Sequence, residues 1–222
     1  MKKLITTLAV TSALATSALS FQAAAVEGLS ANVAMTSNYL WRGVTQNNND
    51  AAISGGIDYA ADSGFYAGTW VSNASWADGM SYELDLYGGY GADINDSMSY
   101  DVGFIYYAYP DETSGDADFS EVYGSFTFSN LTLGLSVLTS AEGADAGDSI
   151  YASADYSLTL GNDAEVAFHL GSYSGDFLAD DYIDYGVSLS KDGFTLGASA
   201  TDIDGADGDV KFYVAYSMDI DL

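Results

Sequence analysis

The strongest constraint in this sequence is a period of two, in which apolar and polar side chains alternate over short stretches. From residue 29 to residue 42 the odd positions are mostly apolar and the even positions mostly polar. The pattern recurs over residues 98–106 and 210–222. Successive side chains of a β-strand point to opposite faces of a sheet, so this period predicts strands with one apolar and one polar face. About twelve such segments follow residue 28.

The connections between these segments alternate in length from one end of the chain to the other. Short polar turns are predicted at 62–64, 93–96, 129–130, 161–163 and 191–193, and mostly longer connections at 44–50, 76–79, 110–118, 141–148, 175–181 and 202–209. Outer-membrane barrels combine an even strand number with short periplasmic turns and longer external loops. Soluble sandwiches and barrels also alternate, with less reason to gather long loops at one end. We therefore predict an all-β protein, an antiparallel transmembrane β-barrel of about twelve strands.

The first 25 residues differ from the rest. Lys2 and Lys3 precede a short apolar run broken by Thr and Ser, and the segment closes with three alanines at 23–25. This is the pattern of a secretory signal peptide, with cleavage expected after Ala25. The alternative is a membrane-anchoring helix, but the run is too short and too rich in Thr and Ser to span a bilayer well. Residues 26–222 are predicted to form one barrel domain.

Charge and composition narrow the function. All 32 acidic residues follow position 25, where the basic residues are only Arg42, Lys191 and Lys211. Nucleic-acid binding is excluded, because it requires basic patches that neutralise phosphates. The chain has no cysteine, so disulfide and thiolate chemistry are unavailable. With 48% hydrophobic and 14% aromatic residues, the chain can order despite its acidity.

A set of acidic side chains shares the parity of the predicted lumenal face: Asp58, Glu83, Asp85, Asp101, Glu121, Asp155, Glu165 and Asp184. Arg42, the only arginine, shares that parity near the outer end of the first predicted strand. A lone guanidinium among carboxylates should be paired, and Glu83 or Asp85 is the hypothesised partner. The pair would form a constriction that sorts permeants by charge, or alternatively a structural clamp.

The long connections contain 16 of the 32 acidic residues and neither Lys nor Arg. Carboxylates at a pore mouth attract cations, so cation preference is expected; the alternative is a solvated or divalent-bridged surface without a transport role. Within these connections, Asp202, Asp204, Asp207 and Asp209 resemble part of a calcium loop, whose oxygen-rich spacing suits Ca²⁺. Ala206 and Tyr213 depart from that pattern, and a mobile acidic loop is the alternative.

His169, the only histidine, is predicted to face the lumen beside Glu165. Some membrane barrels are hydrolases that use Ser and His. No G-x-S-x-G motif accompanies His169, so a lumenal polar side chain is predicted and no enzyme activity is expected.

Residues 37–46, SNYLWRGVTQ, resemble the signature of the TorF-family porins, a proteobacterial family of unknown function. Residues 55–59, 64–70 and 83–90 match in order and spacing, so that the resemblance covers residues 29 to 109. It implies an outer-membrane barrel of the porin type, and it brings neither a substrate nor catalytic residues. The alternation of residues 216–222 up to the terminal Leu222 also resembles the C-terminal signal read by the barrel-assembly machinery, which usually ends in Phe.

The sequence thus favours a porin that lets ions or small solutes diffuse passively, with cation preference. Its expected partners are the outer-membrane bilayer, the assembly machinery during biogenesis, and the permeating ions or solutes. The main alternative is a non-conducting structural or surface-interaction barrel whose acidic loops bind cations. An outer-membrane enzyme and a soluble periplasmic β-protein are the more distant alternatives.

Overall fold

A computed structural model describes residues 27–113, 117–175, 177 and 181–222. The predicted signal peptide, residues 1–25, lies outside the described residues. The strands are β1 (Leu29–Thr36), β2 (Leu40–Trp41), β3 (Val44–Thr45), β4 (Ala52–Ala60), β5 (Phe65–Asn73), β6 (Tyr82–Asn95), β7 (Met98–Ala108), β8 (Phe119–Phe128), β9 (Leu131–Ala141), β10 (Ser149–Thr159), β11 (Glu165–Gly175), β12 (Tyr182–Lys191), β13 (Phe194–Thr201) and β14 (Lys211–Asp221).

Twelve of the strands in the described chain, β1 and β4 to β14, form a closed antiparallel barrel. Neighbours in the barrel follow each other along the chain, apart from the inserted β2 and β3. The barrel closes where β1 pairs with β14, Ser30 lying opposite Asp221 and Thr36 opposite Ala215. A closed ladder leaves no strand edge with unpaired backbone groups, as lipid requires. The predicted fold class is confirmed.

The outer face of the barrel is apolar. Side chains such as Leu133, Ile53 and Phe65 are 50%, 66% and 63% exposed, which lipid would cover. The parity of β5 is mixed in the sequence, and the structure resolves it. Phe65 points outward, whereas Trp70 packs inward against Tyr39 with ring centroids 5.3 Å apart. The apolar alternation therefore marks a lipid-facing surface.

The connections also separate as predicted. The short connections lie at one end of the barrel, together with residues 27 and 222. They are residues 61–64, 96–97, 129–130, 160–164 and 192–193. The longer connections lie at the opposite end, which we call the outer end. Within the described residues, no helix is long and apolar enough to cross a membrane.

The first barrel strand is shorter than predicted. It ends at Thr36 rather than continuing to Arg42, because the Thr36 hydroxyl donates to the Asn38 carbonyl (2.9 Å) and turns the chain inward. β2 and β3 then pair with each other across a two-residue turn at Arg42 and Gly43, whose φ values are 49° and 80°. Positive φ at both central residues is typical of a type I′ hairpin turn. Tyr39 and Trp41 share the odd, apolar parity of residues 29–42, which predicts that they face outward. The inward turn makes that prediction wrong.

Tyrosine rings inside the barrel lie over glycines of the adjacent strand. Tyr87 faces Gly68, where a Cβ atom would approach Cε2 of the ring to 2.6 Å. Tyr123 covers Gly103 in the same way. Only a residue without a side chain leaves room for a ring lying flat on the wall. These pairs line the interior with phenol groups.

Candidate functional site

The segment of residues 37–51 folds into the barrel at its outer end, and we call it the inner hairpin. On one side of the lumen, the Tyr39 hydroxyl donates to Glu83 Oε1 on β6 (3.1 Å). On the other side, a Cβ atom at Gly43 would lie 2.7 Å from the Thr201 side chain on β13 and 2.8 Å from that of Asp184 on β12. The inner hairpin therefore reaches from one wall of the barrel to the other.

Aromatic contacts fix the tip of the inner hairpin. The Trp41 ring meets the rings of Tyr107 on β7 and Phe119 on β8 edge-on, at centroid distances of 6.2 and 6.0 Å. Tyr107 and Phe119 stack on each other at 4.3 Å. They belong to a buried apolar cluster inside the outer half of the barrel, which also contains Ile105 and Leu138. The lumen is therefore packed at this level.

Arg42 forms an ion pair with Glu121 of β8, with 2.6 Å between Nη2 and Oε2. The two side chains are only 7% and 4% exposed. The guanidinium carbon also lies 4.1 Å from the Trp41 ring centroid and 4.3 Å from that of Tyr151 on β10. The hypothesis that Glu83 or Asp85 is the partner is wrong. Arg42 lies in an inward turn rather than on the first strand, so the reach of the inner hairpin determines its neighbours.

Glu83 and Asp85 both point into the barrel from the outer end of β6, and both are buried. The hydroxyl of Tyr39 is held by Glu83, so this acid anchors the base of the inner hairpin. Two neighbouring carboxylates that are buried together are costly to charge unless a cation pairs with them. Their effect on permeation stays a prediction.

His169 lies between two carboxylates on the opposite wall. Its Nδ1 is 2.6 Å from Asp155 Oδ1, and its Nε2 is 2.8 Å from Asp184 Oδ1. The hydroxyl of Tyr151 lies 3.0 Å from His169 Nε2 and 3.0 Å from Asp184 Oδ2. The sequence placed His169 inward beside Glu165, but its contacts in the structure are Asp155 and Asp184. This cluster continues to Arg42 through the Tyr151 ring.

Carboxylates and phenols also meet in the half of the lumen nearer the short turns. Asp58 accepts hydrogen bonds from Tyr87 and from Asn32 Nδ2, the latter at 3.0 Å. Asp101 accepts one from Tyr66 at 3.0 Å. Glu165, half-buried, begins β11 at the same end. All the acids that parity assigned to the lumen thus lie on the interior side, and the structure leaves their roles untested.

The acidic connection between β13 and β14 contains a short 3₁₀-helix, Gly205–Gly208. Lys211 Nζ donates to the backbone carbonyl of Asp207 at 2.6 Å and lies 3.4 Å from those of Ala206 and Asp209. An ammonium group therefore occupies carbonyls that a calcium ion could use. No group of three or more His, Cys, Asp or Glu side chains in the described part of the chain is arranged to hold a metal. Calcium binding by Asp202, Asp204, Asp207 and Asp209 stays a prediction.

The outer rim also contains a carboxylate in a defined contact. Asp111 accepts hydrogen bonds from the Ser81 hydroxyl and backbone, which lower the pKa of Asp111. This exposed group therefore remains ionised at neutral pH and contributes to the negative charge of the rim.

A closed twelve-stranded barrel with an apolar outer belt defines the chain as a transmembrane β-barrel with the fold of outer-membrane porins. The KdgM porin is similar over 85% of this chain and 97% of its own, with 12% identity and a TM-score of 0.54. The KdgM porin in complex with disordered oligogalacturonate is similar over 86% and 95%, with 13% identity and a TM-score of 0.51. OprD from Pseudomonas aeruginosa gives 14% identity over 87% and 67%, with a TM-score of 0.43.

The chain belongs to the Gcw_chp family, described as bacterial proteins of unknown function, whose model matches residues 21–219. Comparison with curated proteins gives no match. The likeness to porins, at these identities, shows the fold.

Proposed function

We propose that this protein is a cation-preferring porin of the outer membrane, related to the TorF-family porins. It would be exported through the periplasm, inserted by the barrel-assembly machinery, and would let ions or small solutes diffuse passively. No bond chemistry is involved, since the field and the width of the lumen would select the permeant.

The observation that carries this proposal is the charge of the inner wall. The interior face of the described strands contains the eight carboxylates of lumenal parity, namely Asp58, Glu83, Asp85, Asp101, Glu121, Asp155, Glu165 and Asp184, and also Asp219, which lies opposite Asn32. Arg42 and His169 are each already engaged by carboxylates. A wall that remains negative after internal pairing raises the local concentration of cations and repels anions.

The width of the passage depends on the inner hairpin. Barrels of eight strands are filled by side chains and barrels of sixteen leave an open channel, so twelve strands enclose an intermediate lumen. The inner hairpin and the apolar cluster around Trp41 fill its outer half. Conduction of more than small ions would therefore require the inner hairpin to move.

The filling of the outer half of the lumen by the inner hairpin favours a second candidate, a non-conducting barrel for structure or surface interaction. Its inner hairpin would be a permanent plug, and its acidic outer connections would bind cations or a partner. Cation binding at the rim does not need an open lumen.

Bilayer recordings under a salt gradient test the proposal. The reversal potential of the refolded protein should show cation preference. The D58N/D101N variant should reduce the cation preference, because Asp58 and Asp101 line the half of the lumen nearer the short turns. D192N, in a short turn, should leave the cation preference unchanged. Anion preference would contradict the charge argument. Absence of current in the native protein, together with current in a variant whose residues 38–50 are replaced by a Gly-Ser linker, would favour the non-conducting barrel with a permanent plug.

A further inference from the structure

We propose that Glu121, Tyr107 and Tyr151 form a binding site for organic cations with a guanidinium group, and that Arg42 is its tethered occupant. Such a solute would compete with Arg42 and release the inner hairpin. The inference rests on the proposed function, because it names the permeant class for the same lumen.

All three groups of this guanidinium site belong to the barrel wall rather than to the inner hairpin. Glu121 is on β8, and its Oε2 lies 3.4 Å from the Tyr107 hydroxyl of β7. Tyr151 comes from β10 and presents its ring to the guanidinium at 4.3 Å. The site therefore does not depend on the inner hairpin for any of its components.

Contacts within the wall hold these groups in place. Tyr107 stacks on Phe119 with 20° between the ring planes. The Tyr151 hydroxyl bonds to Asp184, which is itself fixed by His169. Because these contacts do not involve the inner hairpin, the site should keep its shape when Arg42 leaves. A site with little reorganisation to undergo binds its ligand more tightly.

The electrostatics favour replacement of Arg42 by another cation. Glu121 is nearly inaccessible to water, and a buried carboxylate without a partner is strongly unfavourable. A planar, weakly hydrated guanidinium can pair with the carboxylate and stack on an aromatic face at the same time. A compact and strongly hydrated ion such as Na⁺ cannot use the ring as well. The chemistry of the site therefore selects guanidinium over inorganic cations.

Beyond Ser37, whose N–H donates to the Val214 carbonyl of β14 at 2.9 Å, β2 and β3 of the inner hairpin are independent of the barrel ladder. β2 and β3 pair with each other, in a sheet separate from the barrel. At the rim, Asn48 donates to the Ser75 carbonyl at 2.8 Å, and the Ser75 backbone N–H donates to the Gln46 carbonyl. Displacement of Arg42 can therefore free the tip of the inner hairpin without breaking a strand pair of the wall.

Calorimetric titration of ethylguanidinium chloride into the refolded protein in detergent tests the guanidinium site. Saturable binding is expected in the native protein, and binding at least tenfold tighter in R42A, where no internal guanidinium competes. The R42A/E121Q variant should not bind ethylguanidinium, and R42A/Y151L should bind it more weakly than R42A does. Heat-modifiable gel mobility shows whether each variant folds, and R42A/Y151L serves as the test if R42A/E121Q does not fold. Sodium chloride at equal ionic strength is the control. Failure of R42A to bind ethylguanidinium, or equal binding by R42A and R42A/E121Q, would overturn the proposal.

Two further readouts separate this inference from the proposed function. In a W70F/W76F background, emission from Trp41 should shift to longer wavelength as ethylguanidinium displaces the inner hairpin, and bilayer conductance should rise over the same concentration range. Binding and a shift without any conductance would support the guanidinium site and contradict the porin. Conductance with cation preference but no binding would support the porin and contradict the guanidinium site.

Discussion

Replacement of Arg42 by Met should release the inner hairpin. The substitution keeps an unbranched side chain of similar reach but leaves Glu121, 4% exposed, without its cation. Breaking a buried ion pair by removing one partner costs about 3–5 kcal/mol, and the loss of each cation–π interaction adds about 0.5–2 kcal/mol. Even a total of about 3 kcal/mol would shift the closed-to-open equilibrium roughly 100-fold, since about 1.4 kcal/mol is tenfold.

Single-channel recording in bilayers measures this shift as longer open dwell times or a higher conductance state. K191M is the matched control, because Lys191 is exposed and donates only to the Asn162 carbonyl in the described structure. The double variant R42M/E121Q should recover part of the closed state, because no charge then remains buried without a partner. Identical recordings for R42M, K191M and the native protein would refute the assigned role of Arg42.

Three further predictions concern packing and lipid contact. W41A, which removes a half-buried ring from its aromatic neighbours, should destabilise the inner hairpin by about 2–3 kcal/mol, and limited proteolysis should cleave the variant there faster than the native protein. G103V should displace Tyr123, which covers Gly103, and destabilise the barrel by about 1–3 kcal/mol in urea titrations. G124A should leave the stability unchanged, because the nearest atom to its Cβ lies at 3.4 Å. L133R on the lipid face should cost about 2–4 kcal/mol in vesicle refolding, and equal stability of L133R and of N130R, in a short turn, would contradict the assigned lipid face.

The sequence predicted the barrel because each strand repeats the same local pattern. Leu133 and its odd-numbered neighbours in β9 are apolar for the same reason, exposure to lipid, so a pattern of period two identifies their face directly. The alternating connection lengths added the direction of each strand. In β5, where Phe65 and Trp70 are both aromatic, the period of two does not tell which face is outward.

The inner hairpin was not predicted because its pattern continues that of β1 without a break. Trp41 and Tyr39 keep the parity of the outward face, and only the positive φ of Arg42 and Gly43 reveals the turn. An Arg-Gly pair between apolar residues was the available signal, weaker than Asn-Gly. Parity also fixes a face but not a partner. The contact between Arg42 and Glu121 joins residues 79 positions apart, and three-dimensional closure alone brings them together.

The barrel wall and the element that fills it are covalently joined only where the chain leaves β1 and enters β4, at residues 36 and 52. A shorter flexible linker in place of the inner hairpin would keep the twelve-stranded ladder and remove the segment that reaches across the lumen. Since the protein has no cysteine, single thiols could then be placed at chosen depths along the inner wall. The arrangement makes this chain a practical scaffold for a small sensing pore whose inner chemistry can be set one position at a time.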